Sequence, residues 1–343
     1  MKFIYRLLVI SLLAVPAFHV AAQPNNPKVA IVAFYNVENL FDTENDPLKN
    51  DEDFLPEGSY QWTPERYAEK LRHLSDVISL IGKEFGGPVI LGVSEIENRK
   101  VLEDLAATPK LQPFHFGVAH HDSPDRRGVD VGLFYNKDRF RVLEVIPHPL
   151  IIPDDTAFKT RDQLLVVGVL DNTDTLHVVV NHWPSKRGGE KRSMPKRAAA
   201  AELSRHIADS IKLAHKDAKV IIMGDLNDNP DSKSIMNVLG TKVKLKDVED
   251  GDLFNPMWQL YRDGIWSYLY QDSPNVIDNI IVSSGLLNPR PNTYKFVSAH
   301  IFRAKFMFST SGSFAGYPMR TYAAGTYQGG YSDHLPVYII LQK

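Results

Sequence analysis

The sequence predicts a single α/β domain, and three observations predict it. Short apolar runs of strand length, rich in β-branched residues, alternate along the chain with segments of helical periodicity. No internal repeat, low-complexity tract or linker-like stretch divides the sequence. Roughly 320 residues remain after the N-terminal segment, enough for one large core. Because there is no Cys in the 343 residues, this core must stabilise the fold without disulfide bonds.

The N-terminal segment has the pattern of a secretory signal peptide. Two basic residues precede a short apolar run, and small residues close the segment before Gln23. A membrane anchor would need about 20 uninterrupted apolar residues, but Pro16 and His19 interrupt this run. We therefore expect a signal peptide over 1–22 and one domain over 23–343. The mature protein is expected to be a monomer, periplasmic or secreted, without stable membrane insertion.

The charge balance argues against one class of protein. Removal of the signal peptide leaves 37 Lys and Arg against 41 Asp and Glu, a net charge of −4. A protein coated with positive charge for tight non-specific binding of nucleic acid would have the opposite balance. A local basic groove remains compatible with these numbers.

The predicted strands are apolar, short and bounded by polar or turn residues. They are Val29–Tyr35, Val89–Val93, Val129–Tyr135, Leu164–Val169, Leu176–Val180, Val220–Met223, Val276–Val282 and Pro336–Leu341.

Two helices are predicted between these strands. Thr63 is a suitable N-cap with Pro64 at the first helical position, and apolar residues from Tyr67 to Ile81 then recur every three or four positions. A second helix is predicted over Met194–Ala214, with one apolar side that begins at Leu203.

Two long irregular stretches remain between the predicted elements. The stretch Asp42–Gln61 is acidic, and the stretch His300–Tyr331 is rich in Gly, Phe and Tyr. Long loops in a compact domain are often functional, so both are candidates for the walls of a cleft. The aromatic side chains of the second stretch could stack on bases, cover a lipid or sugar, or form a small separate core.

Polar side chains repeatedly come directly after apolar strands. Ligand-binding and catalytic groups collect at such strand ends, because the scaffold is rigid there and the loops can vary. The residues in question are Asn36, Glu95, Asn181, His182, Asp225 and Asn227, together with Asp333 and His334 just before the last strand.

The spacing within two of these groups suggests their chemistry. Asp225 and Asn227 are two residues apart, so in extended backbone they would point the same way and could together bind one water. Asp333 beside His334 places a carboxylate where an imidazole cation would need stabilisation. Each group alone is weak evidence, since a single Asp at a strand end is usually a turn residue or a helix cap.

The order of these motifs resembles that of the endonuclease/exonuclease/phosphatase superfamily, whose members include deoxyribonuclease I, exonuclease III-type repair nucleases, neutral sphingomyelinases and inositol polyphosphate 5-phosphatases. The similar segments are FYNVENLFD (34–42), LGVSEIEN (91–98), RRGVDVGLFYN (126–136), VVNHWPSKRGG (179–189), IMGDLNDNP (222–230), IDNIIVS (277–283) and YSDHLPV (331–337). The resemblance implies a four-layer α/β/β/α sandwich of two mixed sheets flanked by helices. It places the active site where the sheets open at one edge.

The resemblance also implies a metal site. It assigns Asn36 and Glu95 to the metal, with Glu95 as the principal ligand, and Asp333 as a further acid on the metal side. Oxygen ligands of this kind suit Mg²⁺ or Mn²⁺, with Ca²⁺ possible as a supporting ion, and they disfavour zinc. Three other nearby acids, Glu38, Glu97 and Asp228, are compatible with either a supporting role or a solvated position. Asp130, within a predicted strand, is either a paired buried carboxylate near the cleft or an edge residue.

Catalytic roles follow from the same resemblance. Asp225 would orient or deprotonate the attacking water, with Asn227 beside it. His334 would stabilise phosphate charge or protonate the leaving oxygen, and Asp278 would pair with this histidine. His182 matches a second histidine that faces the phosphate in many members.

A basic segment after His182 is a candidate for substrate contact. Asn181, Lys186 and Arg187 are expected to bind the substrate phosphate. Such runs are equally often a solvated loop and helix start, although cations at a helix N-terminus are unfavourable and so hint at a function. The further basic residues nearby are Arg126, Arg127, Lys191, Arg192, Lys196 and Arg197.

The sequence leaves three functions open. An exported, non-specific nuclease that acts on DNA or RNA is slightly preferred, because export and the basic segment favour it. A phosphatase or phosphodiesterase of a small or lipid phosphate, such as a phosphoinositide or sphingomyelin, is the alternative. A binding protein that kept the fold without turnover is disfavoured by the complete set of catalytic residues.

Overall fold

The computed structural model describes residues 27–152 and 155–343, so the predicted signal peptide lies outside the described residues. The main strands are β1 (Val29–Leu40), β2 (Pro88–Ile96), β3 (Phe116–His120), β4 (Asp130–Asn136), β5 (Phe140–His148), β6 (Gln163–Leu170), β7 (Asp174–His182), β8 (Lys219–Asp225), β9 (Thr241–Lys242), β10 (Leu253–Phe254), β11 (Tyr268–Tyr270), β12 (Ser273–Asn275), β13 (Asp278–Ser283), β14 (Lys295–Ile301), β15 (Tyr322–Ala323), β16 (Thr326–Tyr327) and β17 (Val337–Gln342). The α-helices are α1 (Pro64–Ile78), α2 (Arg99–Ala106), α3 (Glu190–Ala214) and α4 (Met257–Arg262).

Two mixed sheets form the centre of the fold. One sheet has the order β14-β17-β1-β2-β4-β3, and the other has the order β5-β6-β7-β8-β13-β10-β9. β1 and β2 run parallel in the first sheet, as do β7 and β8 in the second. Because parallel neighbours end at the same edge, their terminal side chains are brought together there.

The layers follow from where the apolar side chains go. Alternate residues of both sheets, such as Phe34, Val180 and Met223, share one core between the sheets. The opposite face of the first sheet packs on α1 and α2, and the opposite face of the second packs on α3. This is the expected four-layer α/β/β/α sandwich, and each predicted strand overlaps a strand of the structure.

Helix boundaries agree with the prediction at α1 and differ at α3. Thr63 caps α1 by accepting a hydrogen bond from the Arg66 backbone N–H, with Pro64 at the first position. α3 begins at Glu190 instead of Met194, and Pro195 lies inside it. Proline is common at the first turn of helices, which explains the predicted late start.

The strands missed from the sequence have mixed patterns. β5 carries the exposed apolar residues Leu143 and Val145, and β14 is exposed or half-buried throughout. Neither shows the continuous apolar run that marks a strand buried on both faces. Among the described residues, no helix is both long enough and apolar enough to cross a bilayer.

The two irregular stretches pack against each other. Tyr322 donates its hydroxyl hydrogen bond to the Tyr60 carbonyl, and the two rings lie 4.6 Å apart between centroids. Phe54 and Trp62 join the same aromatic group. The stretches therefore form a common wall beside the C-terminal ends of β1 and β2.

Candidate active site at the shared edge of the sheets

The strand register places the candidate residues at one edge of the sandwich. In the second sheet, Asp225 at the end of β8 pairs with His182 at the end of β7 and with Asp278 at the start of β13. Asn36 of the first sheet donates its amide hydrogen bond to Asp225 Oδ2 at 3.1 Å, which joins the two sheets. The predicted convergence of residues far apart in the sequence is present in the structure.

His334 lies between two carboxylates. Its Nδ1 is 2.8 Å from Asp278 Oδ2, and its Nε2 is 3.8 Å from Asp225 Oδ2. Ser267 donates a hydrogen bond of 2.6 Å to the same Asp278 oxygen, which fixes that carboxylate. The ring of Tyr268 stacks on the imidazole with 4.7 Å between centroids. The orientation of the His334 ring is thus fixed by Tyr268 on one face and by Asp278 at Nδ1.

Charge and burial perturb these groups in opposite ways. Burial acts to lower the pKa of His334, but the charge and hydrogen bond of Asp278, with Asp225 and Asp333 nearby, raise it well above the usual value. Burial raises the pKa of Asp225 to about 7, although the His334 charge opposes this shift. His334 therefore carries its proton at neutral pH, and Asp225 titrates near the pH at which it would act as a base.

Glu95 and His182 form the neighbouring part of the site. His182 Nε2 lies 3.8 Å from Glu95 Oε1 and 3.6 Å from Asp225 Oδ2. Burial, and then the charges of Arg161 and Arg127, lower the pKa of His182 well below its usual value. The ring is therefore neutral at neutral pH and can face a phosphate as a hydrogen-bond donor or acceptor.

The backbone is strained where the metal ligands are expected. Glu95 has φ of 62°, and Glu38 and Asn39 opposite it have φ of 52° and 51°. The pairing of β1 with β2 shifts register between Asn36 and Leu40, so these residues form a bulge. Left-handed backbone at Glu is uncommon and costs free energy, which is characteristic of functional sites.

The donor set fits a hard divalent cation. Glu95 Oε2 accepts a hydrogen bond from the Asn39 backbone N–H, and Oε1 faces the neutral His182. Asp333 is paired with Arg320, and Asp278 with His334. Among the described residues, neither Glu95 nor Asp225 has a Lys or Arg within ion-pair distance. The position of Glu95 beside Asp225 and Asn36 is compatible with its assignment as principal ligand.

Asn227 does not point the way that its sequence spacing suggested. β8 ends at Asp225, so Asn227 lies outside the strand, and its φ of 52° is left-handed. Its side-chain amide donates to the Trp183 carbonyl at 2.9 Å, and its backbone N–H donates to Asp225 Oδ1 at 2.9 Å. Its contact with Asp225 is therefore through the backbone, and the expectation of extended backbone was wrong.

Asn181 points away from the cleft. It is fully buried, and its amide nitrogen donates to the carbonyls of Val179 and Met223. Its oxygen accepts hydrogen bonds from Trp183 Nε1 and Ser204 Oγ. The predicted contact of Asn181 with substrate is contradicted, because its hydrogen-bonding groups are already used to join β7 to α3.

Much of the basic segment is engaged in ion pairs. Arg197 is fully buried and donates from Nε to Asp228 Oδ2 at 2.7 Å, while Lys186 lies 3.4 Å from the other oxygen of Asp228. Lys196 lies 3.0 Å from Asp155. A structural role thus accounts for Arg197 and in part for Lys186, while Arg187 remains exposed.

Asp130 is a paired buried carboxylate. It accepts hydrogen bonds from the Ser123 backbone N–H at 3.0 Å and from the Ser123 hydroxyl, and it lies 3.1 Å from His120 Nε2.

Four residues that contact the site were missed in the sequence analysis: Ser267, Tyr268, Lys70 and Arg320. Ser267 and Tyr268 follow Trp266 shortly before the IDN motif, a position in the sequence that could have drawn attention to them.

Comparisons with known proteins identify the family of this chain. The model of the Endonuclease/Exonuclease/phosphatase family matches residues 31–343. A search of curated proteins finds no match.

Solved structures show the same fold at low identity. Humanized D. rerio TDP2 has a TM-score of 0.57 and 15% identity, covering 92% of this chain and 100% of its own. ANGEL2, described as a 2′,3′-cyclic phosphatase, has a TM-score of 0.57 and 14% identity, covering 93% and 96%. An endonuclease/exonuclease/phosphatase family protein from Bacteroides thetaiotaomicron has a TM-score of 0.52 and 16% identity, covering 92% and 98%. With the family model matched over nearly the whole chain, the protein belongs to the endonuclease/exonuclease/phosphatase family of metal-dependent phosphoester hydrolases.

Proposed function

We propose that this protein is an exported endonuclease that hydrolyses phosphodiester bonds of DNA or RNA with a bound divalent cation. The observation that carries the proposal is the meeting of Asp225, His334 and His182 around one point, with Asn36 and Glu95 beside them. This set provides a base, a protonated acid and a metal ligand within one cleft.

The chain's own residues divide the work of hydrolysis. Asp225 would accept the proton of the attacking water, and its orientation is fixed by hydrogen bonds from Asn36 and the Asn227 backbone. His334, kept protonated by Asp278, would stabilise charge on the phosphate or donate a proton to the leaving oxygen. Preorganised charges of this kind supply the largest part of the barrier reduction in such reactions.

The cation would be Mg²⁺ or Mn²⁺, with Ca²⁺ as a supporting ion. Glu95 and Asn36 would hold it, whereas Asp333, which the resemblance assigned to the metal side, is paired with Arg320. When bound, it supplies positive charge that polarises the phosphate oxygens.

Aromatic side chains beside His334 favour a nucleic acid over a phosphoinositide or sphingomyelin. Tyr268 covers the imidazole, and Tyr270, on the same face of β11, is 56% exposed with its ring nearly parallel to that of Tyr268. Bases stack on exposed aromatic rings with little dependence on sequence. Two related structures are described as TDP2 complexed with a single-strand DNA product and as ANGEL2 in complex with adenosine-2′,3′-vanadate. Both ligands contain nucleosides.

The decisive experiment offers several substrates to the purified protein. Supercoiled plasmid, single-stranded DNA, RNA, phosphoinositides and sphingomyelin are each incubated with Mg²⁺, Mn²⁺ or EDTA. Nicked circular plasmid in the metal lanes alone is the expected result. Glu95→Gln is the inactive comparison, and Glu44→Gln, an exposed acid outside the cleft, is the matched control.

Other outcomes would redirect the proposal. Release of phosphate or headgroup from a lipid, with intact plasmid and RNA, would favour the small- or lipid-phosphate hydrolase. Activity that persists in EDTA would contradict the metal site. For export, mass spectrometry of the mature protein is expected to find an N-terminus at Gln23, and a protein that keeps Met1 in the cytoplasm would contradict it.

A further inference from the structure

Arg320 bridges two acids of the site. Its Nε donates to Glu38 Oε1 at 3.3 Å, and its Nη2 donates to Asp333 Oδ2. Glu38 lies in the bulge two residues after Asn36, whereas Asp333 directly precedes His334. One guanidinium from the long stretch between β14 and β15 thus joins carboxylates from both ends of the chain.

The Glu38 carboxylate is held from the other side as well. Its Oε2 accepts hydrogen bonds from the backbone N–H and the hydroxyl of Thr321, at 2.7 and 3.0 Å. Buried Lys70 lies 3.8 Å from this oxygen and donates to Thr321 Oγ1 and the Tyr331 carbonyl. The position of Glu38 is therefore fixed, and Arg320 is anchored next to Thr321 in the same network.

Divalent cations in proteins commonly bind between two carboxylates, such as those of Glu38 and Asp333 beside this site. Here the cation between Glu38 and Asp333 is a guanidinium, which keeps its charge at every accessible pH and has a planar fork of donors that matches carboxylate oxygens. A divalent ion could not bind between Glu38 and Asp333 without displacing Arg320. The positive charge of Arg320 would also repel such an ion.

We infer that Arg320 takes the place of a second divalent ion, so that the site binds a single divalent ion near Glu95. This inference rests on the proposed function only in requiring that the site binds one such ion. The side chain is 42% exposed, and its Nη1 has no hydrogen-bond partner among the described residues. Arg320 therefore also has a donor to offer a phosphate oxygen, as a second metal would offer its charge.

The test counts bound Mn²⁺ in the purified protein by isothermal titration and electron paramagnetic resonance. Wild type and Arg320→Lys are expected to bind one ion. Arg320→Met and Arg320→Gln are expected to bind two, since Asp333 loses its cation and Glu38 keeps only Lys70, 3.8 Å away. Adding Glu38→Gln to Arg320→Met should return the count to one. Arg205→Met is the matched control, because it removes an arginine that pairs with a carboxylate, Asp209, on α3 and not in the site, and it should keep one ion.

The possible results separate the two claims. Two ions in wild type, or one ion in folded Arg320→Met and Arg320→Gln, would overturn the role of Arg320 and leave the proposed hydrolase intact. No bound ion in wild type would refute both the proposed metal-dependent function and this inference. Thermal melting of each variant establishes that it is folded before its count is used.

Discussion

The imidazole of His334 is held by the carboxylate of Asp278, with Nδ1 at 2.8 Å from Oδ2 and 3.0 Å from Oδ1. The pair is buried, and Ser267 fixes the carboxylate from its other side. The negative charge of Asp278 is the main reason that the pKa of His334 lies well above its usual value despite burial. Asp278 therefore keeps His334 protonated in the free protein, which is the state that its proposed role requires.

Asp278→Asn is expected to reduce kcat/KM by about 100-fold or more at pH 7, the range typical of a lost acid or base. The loss should grow with pH. A raised pKa keeps His334 protonated up to alkaline pH, so removing the charge lowers this pKa and moves the alkaline limb of the profile to lower pH. A kcat/KM profile from pH 5 to 9 measures the shift. Asp138→Asn, which breaks an exposed Asp–His pair with His115, should leave the profile unchanged.

An unchanged alkaline limb in Asp278→Asn, with kcat alone reduced, would show that Asp278 only orients the ring. The melting temperature must be measured as well, because the substitution leaves His334 and Ser267 buried with a neutral partner.

Tyr270 is expected to contribute to substrate binding more than to turnover. Tyr270→Ala should raise KM for an oligonucleotide by about 5- to 150-fold, the equivalent of one lost base stack of about 1–3 kcal/mol. Its kcat should change little, because the ring lies beyond Tyr268 and does not touch His334. Steady-state kinetics on single-stranded DNA test this, with the exposed Phe85→Ala as control. Equal KM values for both variants would remove the support that Tyr270 gives to a nucleic-acid substrate.

Arg197 tests the interpretation of the basic segment. Its guanidinium is fully buried between Asp228 at 2.7 Å and Ser193 Oγ at 2.8 Å. Arg197→Ala leaves the buried Asp228 with Lys186 as its remaining cation, so we expect a loss of about 3–5 kcal/mol in the free energy of unfolding. Urea denaturation measures it, and Arg192→Ala, at an exposed position of the same helix, should cost less than about 0.5 kcal/mol. Similar free energies of unfolding for both variants would contradict the structural role of Arg197.

The central strands and much of the site could be predicted because they depend on local pattern. β2, β7 and β8 are buried on both faces, so their apolar runs are continuous and end in the polar groups of the cleft. The shared edge for Glu95 and Asp225 then follows from the fold that their motifs imply. Strand boundaries were less accurate, since β1 continues through Asn36 and its bulge to Leu40.

The features that could not be predicted depend on contacts between segments far apart in the sequence, or on backbone conformation beyond the end of a strand. Arg320 meets Glu38 across 282 positions of sequence, and no periodicity encodes that meeting. The turn at Asn227 is left-handed, so spacing alone gave the wrong direction for its side chain. Arg197 appeared to be part of a charged surface because burial of a lone arginine depends on Asp228, which belongs to another loop.

Asp171 gives a prediction about acid stability at a place remote from the site residues. It accepts hydrogen bonds from Arg139 at 2.7 Å and from Tyr294, and Lys28 lies 2.9 Å away. Burial alone would raise the pKa of Asp171, but these partners lower it to about 2. A lowered pKa contributes stability above the ordinary Asp pKa of about 3.8, and this contribution is lost as the pH falls towards about 2.

Asp171→Asn should therefore be less stable than wild type at pH 7 by about 1–2 kcal/mol, after allowance for solvent screening of its partners. The difference should persist down to about pH 4 and shrink between about pH 4 and pH 2, because wild type then loses the charge that the variant lacks. Urea denaturation at a series of pH values measures this, with the exposed Asp217→Asn as control. The contrary result is a difference in the free energy of unfolding that stays constant down to pH 2. Asp171 would then stabilise the turn between β6 and β7 through packing and neutral hydrogen bonds, because a contribution from its ionised carboxylate must decrease as that group is protonated.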